Sequence, residues 1–165
     1  MSAANRGSKR SERDFYPTPL TAFRPLVPFI LDLRLKVWEP ACGDRRLINC
    51  LNENQSEHEA DGDDILGGCN FLDDFTKRDF IVTNPPFSLA LEFCDHAIKH
   101  SAHVCMLLRL NFLGSKKRKK WWIENEPDAL FVLSQRPSFK QNGKTDACEY
   151  AWFYWGSKHK GIHHL

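Results

Sequence analysis

The chain has 165 residues, 42% of them hydrophobic and 27% charged, with a formal net charge of +2 at pH 7. That is one domain's worth of sequence, long enough to bury a core without disulfides or structural metal and too apolar for a disordered chain. A net charge this small identifies no nucleic-acid partner, so the placement of the charges has to carry any such reading.

Residues 1–13 are polar and charged and lack an apolar stretch, which predicts a flexible N-terminal arm and not a signal peptide. No apolar run approaches the roughly 18 residues of a membrane span, so the expectation is a soluble, cytoplasmic protein with no membrane partner. Asp14-Phe15-Tyr16-Pro17-Thr18-Pro19 reads as a rigid turn. Leu20 to Leu33 reads as a helix broken by Pro25 and Pro28. Lys36 to Glu39 is a short strand that ends at Pro40, and Gly43 marks a tight turn. Arg46 to Asn54 is helical, with Leu47, Ile48, Cys50 and Leu51 near one face. His58 to Ile65 gives a weak strand signal before Gly67-Gly68.

Phe80 to Thr83 is a clear strand ending at Asn84-Pro85-Pro86-Phe87, and Leu89 to His100 is an amphipathic helix. Val104 to Leu108 and Ala129 to Leu133 are continuous apolar runs, as expected of strands covered on both faces. Between them Lys116, Lys117, Arg118, Lys119 and Lys120 form five consecutive basic positions, followed by Trp121-Trp122. Cys148 to Trp155 is a last, aromatic-rich strand. Strands alternating with helices predict an α/β domain over residues 14–165 with a mostly parallel, Rossmann-like sheet. Such sheets bind ligands at the carboxyl ends of their strands. Glu39-Pro40-Ala41-Cys42-Gly43 and Asn84-Pro85-Pro86-Phe87 both follow strands, so they are expected to line one crevice.

The six cysteines, Cys42, Cys50, Cys69, Cys94, Cys105 and Cys148, lack the C-x-x-C spacing of zinc ribbons. Several lie in apolar runs, which predicts reduced core thiols. His159, His163 and His164 read as a solvated tail, and no metal site is expected. Asp61, Asp63 and Asp64 lack the ligand spacing and terminal Glu of a calcium loop.

The tetrapeptide carries the chemistry. Two prolines fix the backbone and remove two amide donors, leaving carbonyl acceptors. Asn84 adds a side-chain carbonyl. An exocyclic amino group has two N–H donors, one for the Asn84 side chain and one for the Pro85 carbonyl. Phe87 offers a flat face on which a flipped base can stack. The basic run is placed to neutralise phosphates, and its tryptophans to pack or stack.

Asn84-Pro85-Pro86-Phe87 resembles the catalytic tetrapeptide of amino-group methyltransferases acting on adenine. Glu39-Pro40-Ala41-Cys42-Gly43-Asp44 resembles their cofactor loop, and Asp14 to Pro19 the preceding segment that closes over the cofactor. Leu108 to Leu113, Arg136-Pro137-Ser138-Phe139 and Glu149 to Phe153 resemble the C-terminal half of small phage-type DNA adenine methyltransferases. The resemblance spans about residues 14–160, in the family's motif order. It implies a class I methyltransferase fold, S-adenosyl-L-methionine as cofactor, DNA as partner, and methyl transfer to the N6 amino group of adenine. A phage-encoded protein of this kind would work in the host cytoplasm. No obligate protein partner is implied.

By the same resemblance, Tyr16, Thr18, Pro19, Glu39, Pro40, Ala41, Cys42, Gly43, Asn70, Phe71 and Asn84 contact the cofactor. An acid after the second strand takes its ribose hydroxyls. Asp63 and Asp64 are both candidates, and Asp64 is preferred because Ile65 follows it as in the family. Two departures stand out: Arg45 where a second glycine is common, and Asn70 where the family has Asp. Only forty residues lie between Gly43 and Asn84, so one helix there should be short or missing. No segment is long enough for a separate recognition domain, which leaves loops 111–122 and 136–147. Two alternatives remain: methylation of RNA or of a protein glutamine amide, and a non-catalytic nucleic-acid-binding relative.

Overall fold

The computed structural model describes residues 16–54, 59–140 and 144–165. The expected arm, residues 1–13, lies outside the described residues, as do Asp14, Phe15 and His58. Five α-helices are described: α1 (Leu20–Phe23), α2 (Val27–Asp32), α3 (Arg46–Asn52), α4 (Ala90–His100) and α5 (Lys119–Glu124). The seven strands are β1 (Val37–Glu39), β2 (Asp61–Gly62), β3 (Arg78–Thr83), β4 (Ser101–Arg109), β5 (Ala129–Val132), β6 (Tyr150–Trp155) and β7 (Gly161–His164).

They form one sheet in the order β2-β1-β3-β4-β6-β5-β7. β6 runs antiparallel to both neighbours, and the other pairings are parallel. The sheet is covered on both faces, and its side chains alternate accordingly. Phe80, Val82, Cys105, Leu107, Trp152 and Tyr154 pack with Phe23, Ile30 and Ile48 on the α1–α3 side. Ile81, Val104, Met106, Phe153 and Trp155 pack with Phe93, Cys94 and Trp122 on the α4–α5 side. The indole N–H of Trp152 donates to the Ala22 carbonyl at 2.9 Å, so this large buried ring leaves no polar group stranded.

Proline shapes the first helical segment as its ring chemistry requires. A 3-10 turn, Arg24–Leu26, separates α1 from α2, with Pro25 and Pro28 each in the first turn of its element. Beyond β2 the sheet is trimmed. A doubly wound sheet normally carries a further helix–strand unit at this edge. Here two 3-10 turns, Ile65–Gly67 and Phe71–Asp73, lead directly to β3. The expected strand His58–Ile65 shrinks to two residues for a local reason. A Cβ at Gly62 would collide with the Glu39 carbonyl oxygen, and Asp64 leaves the sheet to cap the first of these turns.

The histidine tail departs from expectation. It forms β7, parallel to β5, and His163 stacks on Phe131 with centroids 4.9 Å apart. Gly-Ile-His-His has no apolar alternation, so its pairing leaves no trace in the sequence. The cysteines are free, with Cys42, Cys50, Cys94 and Cys105 buried. Among the described residues no acid–His–Cys cluster is arranged to hold a metal, and no helix is long and apolar enough to cross a membrane.

Candidate active site

β1 and β3 are parallel neighbours, so the chain leaves Glu39 and Thr83 side by side at the same end of the sheet. The β2–β3 connection crosses back past β1, so the strand order reverses between β1 and β3.

Three polar atoms at these ends are buried without a hydrogen-bond partner: Glu39 Oε2, Thr83 Oγ1 and Asn84 Oδ1. Burial, and then the negative charge of Asp44, push the Glu39 carboxyl well above the usual carboxylate range. Native structures leave few buried groups unsatisfied. Three clustered at the carboxyl ends of two neighbouring strands are suited to polar groups of a ligand.

The loop after β1 is laced to β2. Cys42 N–H donates to the Asp63 carbonyl at 3.0 Å, and Asp63 N–H to the Glu39 carbonyl at 3.1 Å. Gly43, at φ 49°, turns its N–H to Asp64 Oδ2 at 3.0 Å. Asp64 Oδ1 takes the Leu66 N–H at 2.9 Å. Pro40 is buried and Ala41 half-buried in this loop. Arg45 occupies the left-handed region at φ 60°, the conformation for which glycine is the usual choice. Its guanidinium bonds the Gly62 carbonyl at 3.0 Å and Asp61 at 2.9 Å, fastening the β2 edge.

The strap before α1 forms another wall. Thr18 is buried, Pro19 precedes α1, and the Tyr16 carbonyl accepts the Asn84 side-chain N–H at 2.9 Å. A carbonyl only accepts, so Tyr16 fixes the amide with its nitrogen towards the strap and its own carbonyl oxygen unclaimed. After Asn84, Pro85 is buried, and the turn Phe87–Leu89 is closed through the Pro86 carbonyl, which accepts Leu89 N–H at 2.9 Å.

Phe87 is the centre of an aromatic cluster. Tyr16 stacks on it at 5.1 Å, Phe139 meets it edge-on at 5.7 Å, and Tyr150 lies 6.0 Å away. The Arg109 guanidinium lies 4.7 Å from its ring centre. Phe139 belongs to a segment already singled out by resemblance. Arg109 and Tyr150 also fall in segments singled out by resemblance, but their link to Phe87 has no signal in the sequence, because β6 reaches β4 through a pairing between distant parts of the chain.

The remaining candidates have partners of their own. Asn70 caps its own 3-10 turn through Leu72 N–H and donates to Asp73 at 2.7 Å. Phe71 is buried against Phe93 and His96, in the core under α4. In the basic run, Lys116, Lys117, Lys119 and Lys120 are exposed, but Arg118 is committed to its own loop. It donates to the carbonyls of Phe112 and Gly114 at 2.9 and 2.7 Å and covers the Phe112 ring.

No family model and no curated protein matches this chain. Solved structures do. A protein assigned as a class I S-adenosylmethionine-dependent methyltransferase from Listeria monocytogenes superposes with a TM-score of 0.62 at 13% identity, over 94% of this chain and 67% of that one. A protein assigned as an RNA methyltransferase from Pyrococcus horikoshii gives 0.57 at 15% identity, over 90% of each chain. The M protein of the type I restriction enzyme EcoKI gives 0.51 at 18% identity, over 87% of this chain and 44% of that one. This chain therefore spans less than half the length of that M protein. At these identities the likeness establishes the fold, which is that of the class I S-adenosylmethionine-dependent methyltransferases.

Proposed function

We propose that this protein transfers a methyl group from S-adenosylmethionine to the N6 amino group of adenine in DNA. The observation that carries the reading is the Asn84 amide just after β3: its nitrogen is held by the Tyr16 carbonyl, and its buried carbonyl oxygen has no partner.

The residues fit the cofactor. Glu39, buried and with Oε2 free of a hydrogen-bond partner, would hold its ammonium group, and the Pro40–Gly43 backbone would let the ligand approach closely. Asp63 or Asp64 would take the ribose hydroxyls. Tyr16, Thr18 and Pro19 close the near side. The bound cofactor supplies an electrophilic methyl group on a sulfonium. The protein does the rest by positioning. Asn84 Oδ1 accepts a hydrogen bond from one amino N–H and the Pro85 carbonyl from the other; after methyl transfer, which leaves the cofactor as a thioether, the nitrogen loses one of these protons to water. Both carbonyls hold the nitrogen lone pair in line and stabilise the positive charge that grows on nitrogen. Phe87 supports the base, and the four exposed lysines meet phosphates.

The test is transfer of tritiated methyl groups to duplex DNA, RNA and protein, with N6-methyladenine read by mass spectrometry. Label in DNA adenine supports the reading. Label confined to RNA or to protein amides, or no transfer despite cofactor binding, overturns it.

A further inference from the structure

Arg109 and Tyr150 are direct partners across the antiparallel β4–β6 pair. Arg109 Nε donates to the Tyr150 hydroxyl at 2.8 Å and Nη2 to Asp146 Oδ2 at 3.0 Å, while the Tyr150 hydroxyl donates to the same oxygen at 2.7 Å. This closed triangle aims the guanidinium at Phe87. Tyr150 is fully buried, and burial pushes its hydroxyl above its ordinary range, so it keeps the proton it donates. Burial opposes the charge on Asp146, yet the Tyr150 hydrogen bond and Arg109 outweigh it and hold that carboxyl below its usual range. Arg109 therefore stays charged and is clamped by two fixed acceptors.

We propose that Arg109 is a positioning residue that holds Phe87 in the orientation needed to receive the substrate base, with Tyr150 and Asp146 as its anchors. This rests on the reading of Phe87 as the base platform. Tyr16 and Phe87 stack 5.1 Å apart, too close for a base to fit between them. A base arriving on that face displaces Tyr16 and removes its support from the ring. A clamped cation against the π-system keeps the ring in place after Tyr16 has moved.

The test is a double-mutant cycle between Arg109→Met and Phe87→Leu, read as kcat/KM for DNA together with cofactor affinity. Arg109→Met alone should lower kcat/KM about 3- to 30-fold, the range that runs from exposed to desolvated cation–π contacts. Cofactor affinity should stay within about twofold, and in the Phe87→Leu background the further loss should vanish. Equal losses in both backgrounds would mean that Arg109 acts on the substrate directly, and would overturn the proposal. Tyr150→Phe keeps the ring and drops one anchor, so it tests the clamp if Arg109→Met fails to fold. Its loss should be smaller than that of Arg109→Met, and an unchanged kcat/KM would count against the clamp. A second measurement does not depend on the substrate. In protein labelled with 4-fluorophenylalanine, the Phe87 resonance should move with Arg109→Met and stay put with Arg136→Met, because Arg136 pairs with Glu149 instead. An unmoved resonance overturns the positioning role even if DNA is methylated. A moved resonance in a protein that leaves DNA unmodified retires the substrate reading and keeps the clamp.

Discussion

The side chain of Asn84 is held by the backbone of Tyr16: its amide nitrogen donates to the Tyr16 carbonyl at 2.9 Å. The strap that precedes the first helix thus sets the direction of the acceptor on the far side of the crevice. Asn84→Ala removes that acceptor and frees the strap at once. Methyl transfer should fall on the order of a hundred- to a thousand-fold, about 2.7–4 kcal/mol, the loss typical of one aligned contact to developing charge. Titration calorimetry should find cofactor affinity changed far less. Transfer at the wild-type rate would reduce the tetrapeptide to a structural turn.

Phe87→Ala should separate capture from chemistry. It deletes the ring on which Tyr16, Phe139 and Arg109 converge. The expected result is a raised KM for DNA with a smaller drop in kcat, measured by steady-state kinetics with saturating cofactor. A kcat loss matching that of Asn84→Ala at unchanged KM would assign the ring to the chemical step.

Glu39 should trade stability for binding. A raised folded-state pKa means the folded protein binds a proton more tightly than the unfolded chain. Unliganded stability should then fall as pH rises from the ordinary carboxylate range through the raised value. Glu39→Gln removes the ionisation. It should raise the melting temperature of the unliganded protein at neutral pH and flatten its pH dependence, because an amide carries no charge into that buried site. Cofactor affinity should fall, and cofactor binding to the wild type should tighten as pH rises. A variant less stable than wild type at every pH would show that the acid has a partner.

Much of the sheet can be read directly from sequence, and the reason is its two-sided burial. Phe80, Ile81 and Val82 form a continuous apolar run because they face the two packed layers alternately. The tetrapeptide is legible for the same reason, since it follows that run. What stays hidden depends on pairing. Nothing in Gly161–His164 announces a strand, and nothing in the local sequence announces that β6 will bring Tyr150, and the loop before it Asp146, to Arg109. Arg45 is legible as an oddity, and its left-handed backbone supplies the reason a glycine suits the position.

That backbone gives a graded prediction. Arg45→Ala keeps the strain and loses the bonds to Asp61 and the Gly62 carbonyl. Arg45→Gly loses the bonds but relieves the strain. The ion pair is about half exposed on both sides and therefore screened. The glycine variant should be the more stable of the two by about 1–2 kcal/mol, the left-handed penalty of an L-residue, as read from urea unfolding midpoints. Equal stabilities would place the strain elsewhere.

The basic run should divide in two. Neutralising Lys116, Lys117, Lys119 and Lys120 should weaken DNA binding and flatten its salt dependence, by up to about 0.9 in slope for each phosphate left without its lysine. Arg118→Met should barely alter the salt slope and should lower the melting temperature, because its donors serve Phe112 and Gly114. An unchanged slope in the four-lysine variant would make the run a solvated face.

The two-residue β2 also bears on self-association. A strand at the margin of a sheet offers unpaired amides to any other chain, and long, flat margins invite pairing between molecules. Among the described residues the sheet ends on Asp61–Gly62, with Arg45 bonded to the Gly62 carbonyl and paired with Asp61, which leaves little free ladder at that margin. The opposite margin, at β7, is twice as long and carries the exposed Ile162. Chain-to-chain pairing in concentrated solution should therefore begin at β7 and spare the side that carries the crevice.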